Sequence, residues 1–175
     1  MEKEEVLKVY RHSLAHIMAK AVIELYGKET QYAIGPEIDD GCYYDFVLPR
    51  TVTEEDFPAI EEKMHEIIKR REDWTRKEIS KEEALELFKD QKFKTELIID
   101  LPADEVISIY YTGDDYVDLC RGPHVDNTGT FQRSIQDQEC IRRLLERRRE
   151  ERPAPENISV RFPFQGRAQG SPCMA

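Results

Sequence analysis

The sequence predicts an α+β fold in which a long N-terminal helix packs on a mostly antiparallel sheet. Three observations carry this expectation. Apolar residues recur at helical spacing through residues 4–26, later segments alternate apolar and polar residues over strand-length runs, and a turn signal joins two early runs as a hairpin.

In the first helix the apolar set is Val6, Val9, Tyr10, Leu14, Ile17, Met18, Ala21, Val22 and Leu25, with Gly27 as its stop. Residues 31–38 and 42–47 read as strands around Asp39-Asp40-Gly41. Thr53-Glu54-Glu55-Asp56 opens a second helix that runs to about Arg71, with Pro58 tolerated in its first turn. Trp74 to Ile79 is a strand, and Ser80-Lys81-Glu82-Glu83 is a capping box for a third helix to about Lys89. Residues 94–99 fit a short helix or a strand equally well. Glu105 to Tyr111 alternates as a strand, and Tyr116 to Leu119 continues the sheet after Gly113-Asp114-Asp115.

A chain of 175 residues is long enough for one domain with a real core. It contains no apolar run near the roughly 18 residues that a membrane span needs, and it opens Met1-Glu2-Lys3-Glu4-Glu5 without a signal-peptide pattern, so the expected location is cytoplasmic. Four unevenly spaced cysteines then point to free thiols or ligands rather than a disulfide framework. The net charge of −10 is uneven. Residues 131–175 hold 9 Arg and 6 acids, net +3; of the whole chain's 26 basic and 36 acidic residues this leaves 17 against 30, net −13, for residues 1–130. Nucleic-acid affinity comes mainly from cations against phosphates, so this acidic body is poorly equipped to hold RNA by itself.

Chemistry concentrates in two short motifs. His12-Ser13-Leu14-Ala15-His16 and Cys120-Arg121-Gly122-Pro123-His124 contain three of the four histidines and one of the four cysteines. On a helix His12 and His16 share a face, one turn apart. The second motif cannot continue as a helix because Gly122-Pro123 interrupts it, so it reads as a tight turn pointing Cys120 and His124 inward. Converged, these four groups would make either a metal site suited to zinc or a hydrolytic pocket. The plainer alternative is a set of buried, hydrogen-bonded polar side chains. Cys42, Cys140 and Cys173 carry no such context, and His65 reads as a solvated residue of the second helix.

The flanking residues permit a family comparison. Arg11-His12-Ser13-Leu14-Ala15-His16, Ile34-Gly35-Pro36, Gly41-Cys42-Tyr43-Tyr44-Asp45-Phe46 and Val117-Asp118-Leu119-Cys120-Arg121-Gly122-Pro123-His124-Val125 resemble, in order, the editing domain of threonyl-tRNA synthetases, across roughly residues 4–130. The resemblance implies hydrolysis of the ester joining serine to the terminal adenosine of threonine tRNA, without ligase activity. Serine is threonine minus one methyl, a difference worth about 1–3 kcal/mol in a binding pocket, so a second site has to remove the smaller product.

The same resemblance implies roles for individual residues. His12, His16, Cys120 and His124 surround the reacting ester, where imidazoles orient or deprotonate a water. Lys94 would stabilise developing negative charge or the leaving 3′-oxygen, and Asp118 would orient the substrate ammonium or a water. Tyr43 and Tyr44 alternate faces, so at most one reaches the pocket; these two and Arg121 are the expected substrate-binding residues. Related alanyl editing domains use the same four His and Cys positions for zinc, whereas the threonyl type is expected to need no cofactor. The expected partners are the acceptor end of tRNA(Thr) carrying serine and, beyond it, an intact threonyl-tRNA synthetase. No membrane is implied.

The expected division is an editing domain over residues 1–130 and a divergent, basic, disordered tail over 131–175, with a helix through Ile141–Glu150. Read one base later, the codons allowed for Ile135 to Arg147 permit Phe-Lys-Ile-Lys-Ser-Ala-Ser-Gly-Ala-Tyr-Trp-Arg-Gly, which looks like the start of a threonyl-tRNA synthetase catalytic domain. Those for Phe164 to Pro172 permit Ser-Lys-Ala-Glu-Leu-Lys-Glu-Ala. A frameshift near residues 129–134 would explain both, leaving a synthetase fragment without its preceding small domain or its aminoacylation and anticodon-binding domains. Two alternatives stand beside an active fragment: a catalytically inert fragment or binding module, and a freestanding zinc-dependent alanyl-type editing protein. The coding DNA tests the frameshift directly. Its +1 frame is expected to encode both strings, and a frame that encodes neither contradicts it.

Overall fold

A computed structural model describes residues 3–33, 37–38, 41–50, 52–102, 105–132 and 158–163. Helix α1, Lys3–Tyr26, is its longest element. Gly27 ends it at φ +100°, a left-handed conformation that glycine adopts freely, and returns its N–H to Ile23 O at 2.9 Å. The spacing predicts one apolar stripe, yet every residue from Ser13 to Val22 is buried. Small residues at Ser13, Ala15, Ala19 and Ala21 let neighbours approach on the sides that a surface helix leaves to water. The polar groups carried into that interior, His16 and Lys20 among them, therefore need partners.

Strands β1 (Gln31–Tyr32), β2 (Glu37–Ile38) and β3 (Gly41–Val47) follow. Both β1 and β2 pair antiparallel with β3, but the single strand expected over 31–38 is two pieces out of step by one residue. From Tyr32↔Phe46 to Glu37↔Cys42, five steps on one side face four on the other. The expected turn residues Asp39 and Asp40 lie outside the described residues. A short 3₁₀ turn, Glu54–Asp56, leads into α2, Phe57–Arg70, with Pro58 in the first helical turn where its missing N–H costs nothing.

Strand β4, Trp74–Ile79, and helix α3, Lys81–Leu87, form where the sequence places them. Ser80 Oγ accepts from Glu83 N at 3.2 Å and Glu83 Oε2 accepts from Ser80 N at 2.8 Å, completing the capping box. The ambiguous stretch over 94–99 is helical, within α4, Lys92–Asp100. Strands β5 (Ile107–Thr112) and β6 (Tyr116–Leu119) complete an antiparallel sheet in the order β4-β5-β6. The expected single sheet is thus two small ones, one built on β3 and one of β4, β5 and β6, with no pairing between them among the described strands.

Two apolar clusters hold the layers together. One joins α1 and α2 to β3 through Ile17, Met18, Ile60, Ile67, Tyr44 and Phe46; the other joins α3 and α4 to β5 through Ala84, Phe88, Ile98, Ile107 and Ile109. In the segment expected as a tail, Ile158–Pro163 forms β7 on the edge of β3 opposite β1 and β2. The helix expected through Ile141–Glu150 lies outside the described residues. Among the described residues no helix is long and apolar enough to cross a membrane.

Lys20 is the sharpest cost of burying α1. Its ammonium is 1% exposed and donates to Glu72 Oε2 at 2.6 Å, Asp115 Oδ1 at 2.6 Å and Thr112 O at 3.0 Å. These bonds tie α1 to the end of α2 and to the β5–β6 turn. Removing the cation leaves carboxylates facing the core, although Asp115 is exposed enough to rehydrate. Lys20→Ala is expected to lower stability by about 2–3 kcal/mol in urea denaturation. A loss below roughly 0.5 kcal/mol, the range of ordinary surface substitutions, would contradict a structural role for this cation.

Candidate active site

Helix α1 and the loop after β6 build the site together. The loop is anchored on β5: Cys120 N donates to Ser108 O at 3.1 Å, and Ser108 Oγ donates to Cys120 O at 2.7 Å. It turns at Gly122, φ +71°, where a Cβ would stand 2.3 Å from Tyr110 Oη, so both conformation and space demand glycine. The Gly122–Pro123 bond is cis. Ser13, wholly buried on α1, then staples the returning chain, since its Oγ lies 3.1 Å from both Val125 N and His124 Nδ1.

This stapling brings the two histidine motifs into register. One donor atom from each of His12, His16, Cys120 and His124 lies within 4.8 Å of the others. Cys120 Sγ is 2.9 Å from His12 Nε2, 3.2 Å from His124 Nε2, and accepts from Gly122 N at 3.2 Å. The His124 ring is stacked between His12, centroids 4.5 Å apart at 17°, and Trp74, 4.2 Å apart at 7°. Tyr110 meets its edge at 4.6 Å.

Beneath the imidazoles lies a second, fully buried layer. Lys94, on α4, is 0% exposed and Asp118, on β6, is 1% exposed; the two pair directly. Asp118 also accepts from Tyr44 Oη and, at 3.1 Å, from Tyr116 Oη. Burial first and the Asp118 carboxylate second push the Tyr44 and Tyr116 phenols well above their ordinary range, so both keep the protons they donate. Tyr32 moves the same way for the same reasons and closes the aromatic wall, its ring about 6 Å from those of Tyr44 and Tyr116.

His16 bridges the layers, with Nδ1 3.6 Å from Asp118 Oδ2. Burial, then His12, then Lys94 push its pKa well below the ordinary histidine value, so it is neutral near pH 7 and the contact with Asp118 is dipolar rather than an ion pair. His124 is depressed for kindred reasons: burial first, then His16 and His12. Neutral imidazoles in a closed cluster can accept a proton from water or bind a metal.

The donor set fits zinc by residue type, three imidazoles and a thiol. Zinc bonds of about 2.0–2.3 Å would place tetrahedral donors roughly 3.3–3.8 Å apart, a spacing that a small adjustment of these side chains reaches. A metal bound by His12, His16, Cys120 and His124 would supply Lewis acidity.

The structure treats the other expected residues differently. Lys94 and Asp118 are not presented at an open surface; each is buried and engaged by the other, and Asp118 Oδ2 lies 3.6 Å from His16 Nδ1. Tyr44 faces this inner layer, and the side chain of Tyr43 lies outside the described residues. Arg121 is exposed and pairs with Glu105 at 2.7 Å. His65, expected as solvated, is half-buried with Nε2 3.6 Å from Glu61 one turn earlier, because the flanking Met64 and Ile68 draw that side of α2 inward. Sequence reading misses Ser13, Trp74 and Tyr116. Ser13 sits inside the histidine motif, but no local signal ties Trp74 or Tyr116 to His124 or Asp118.

Residues 107–130 match the family described as the threonyl and alanyl tRNA synthetase second additional domain. Similar proteins include the threonine–tRNA ligases of Syntrophomonas wolfei, 54% identical over 75% of this chain and 21% of the ligase, and of Thermotoga maritima, 52% identical over 74% of this chain and 20% of the ligase. The enzyme of the same name from Dehalococcoides mccartyi is 52% identical over 70% of this chain and 20% of its own length. The chain thus spans about a fifth of the length of the curated relatives it matches.

Proposed function

From its kinship with the editing domain of threonyl-tRNA synthetases, we propose that this chain hydrolyses the ester of mischarged Ser-tRNA(Thr). The observation that carries the reading is the convergence of His12, His16, Cys120 and His124 in one cluster. An aminoacyl ester is already activated, so the site has to place a water against the carbonyl, take its proton and stabilise the oxyanion. Neutral imidazoles at the working pH suit the first two tasks. Cys120, whose sulfur accepts from Gly122 N and lies beside Nε2 of both His12 and His124, is assigned a positioning role rather than that of a nucleophile. Asp118 stands 3.6 Å from His16 Nδ1 and pairs with Lys94, so Lys94 takes part as one half of a buried ion pair beneath the site rather than as a free positive charge. To discriminate, the site has to admit serine and reject the extra methyl of threonine, which a single binding step cannot do well enough.

The tRNA itself has to be held mainly by other means. With a net charge of −13 over residues 1–130, the body repels phosphates, so a weak encounter in trans or delivery by an intact synthetase in the cytoplasm is part of the proposal. Zinc is the second reading, favoured by the four-donor set and linked to alanyl-type editing.

One assay separates the readings. The purified, folded protein is expected to release serine from Ser-tRNA(Thr) and to spare Thr-tRNA(Thr). His12→Ala or Cys120→Ala should slow release by roughly 100-fold or more. About one zinc per chain by elemental analysis, lost with His124→Ala, would favour the alanyl-type reading. No hydrolysis of either ester at high protein concentration would leave an inert fragment or binding module.

A further inference from the structure

We propose that Ser13 fixes the proton position on His124, holding the neutral ring with its hydrogen on Nε2, so that His124 donates to Cys120 and the water-activating base is one of the two α1 histidines. Counting hydrogens leads to this assignment. A serine hydroxyl has one hydrogen to give and two lone pairs to accept with. The Val125 backbone N–H can only donate, and at 3.1 Å it occupies one lone pair of Ser13 Oγ. Among the described residues the remaining partner of that hydroxyl is His124 Nδ1, also at 3.1 Å. The second lone pair can take a hydrogen from Nδ1, but the serine's own hydrogen would then have no acceptor among these partners; it therefore points at Nδ1, which is bare, and the ring's own hydrogen lies on Nε2. That nitrogen is 3.2 Å from Cys120 Sγ, which can accept it.

The surroundings hold the ring in this setting. His12 and Trp74 lie flat on its two faces and Tyr110 closes its edge. Ser13 is itself 0% exposed on a buried stretch of α1, so water does not compete for its hydroxyl. The assignment divides labour among residues that look alike in sequence. His124 becomes a hydrogen-bond donor, available to the thiol or to an oxyanion, and proton abstraction falls to His12 or His16. It also bears on zinc, because a metal on His124 Nε2 requires a bare Nε2 and a hydrogen on Nδ1, the opposite setting.

The consequence for catalysis rests on the hydrolase reading, whereas the proton position does not, and the two are measured separately. Nitrogen-15 NMR of the histidine rings in the free wild-type protein is expected to show His124 protonated on Nε2. Ser13→Thr, which keeps the hydroxyl, should preserve that signature; Ser13→Ala should lose it, with the hydrogen shared between the two nitrogens. In hydrolysis of Ser-tRNA(Thr), Ser13→Ala should lower kcat roughly tenfold or more while KM changes little, and Ser13→Thr should restore most of the loss. A hydrogen on Nδ1 in the wild type overturns the proposal outright, even if Ser13→Ala fails to fold. A Ser13→Ala protein with unchanged ring signals also overturns it. If no variant hydrolyses the ester, the functional reading fails, and the NMR result still decides the proton position.

Discussion

A buried ammonium and a buried carboxylate that satisfy each other are the constraint around which the site is arranged. Neither Lys94 nor Asp118 tolerates the interior alone, since an unpaired charge there costs several kcal/mol. Their pairing fixes α4 against β6, and the lone pairs left on Asp118 draw in Tyr44 from β3 and Tyr116 from β6. Elements from both small sheets thus meet on one carboxylate. The layer above inherits this order: His16 stands 3.6 Å from Asp118, and its neutrality follows from burial first, then from His12 and Lys94. Breaking the pair would remove more than one contact, because among the described residues each member is the other's only charged counterweight at that depth.

The unusual burial of α1 follows from the same economy of space. Small residues let two layers close over it, which brings His12 and His16 under the Cys120 loop and also forces Lys20 into the interior. Lys20 is satisfied by Glu72 and Asp115, so α1 is also pinned by a buried charge about one turn beyond His16. A helix held this way cannot slide by a residue without stranding a charge, and the spacing of the two histidines is correspondingly rigid.

Much of this is legible in the residues. The helix stop at Gly27, the Ser80 capping box and strand β4 rest on local chemistry, and they form where the sequence places them. The convergence of the histidine and cysteine motifs is what the family resemblance implies; spacing alone puts His12 and His16 on one face without saying what that face meets. What escapes are properties created only by tertiary packing. Burial of α1 on every side depends on what its alanines admit, the division into two sheets depends on edge choice, and the stacking of Trp74 on His124 joins residues from separate elements. The helical state of residues 94–99 is undecidable from a short apolar run whose burial the rest of the fold sets. The resemblance, not any local signal, gives Lys94 and Asp118 roles at the site; in the structure both are buried and paired with each other.

The acidic body, net −13 over residues 1–130, is poorly suited to gripping phosphates, and the proposed hydrolysis has to work under that constraint. The most direct test of a single ester-hydrolysing centre is a crystal structure of the protein with a non-hydrolysable seryl-amide analogue of the terminal adenosine. The seryl carbonyl is expected within hydrogen-bond reach of the His12, Cys120 and His124 cluster, with Lys94 and Asp118 still paired beneath it. An analogue seated away from that cluster would contradict a single centre there.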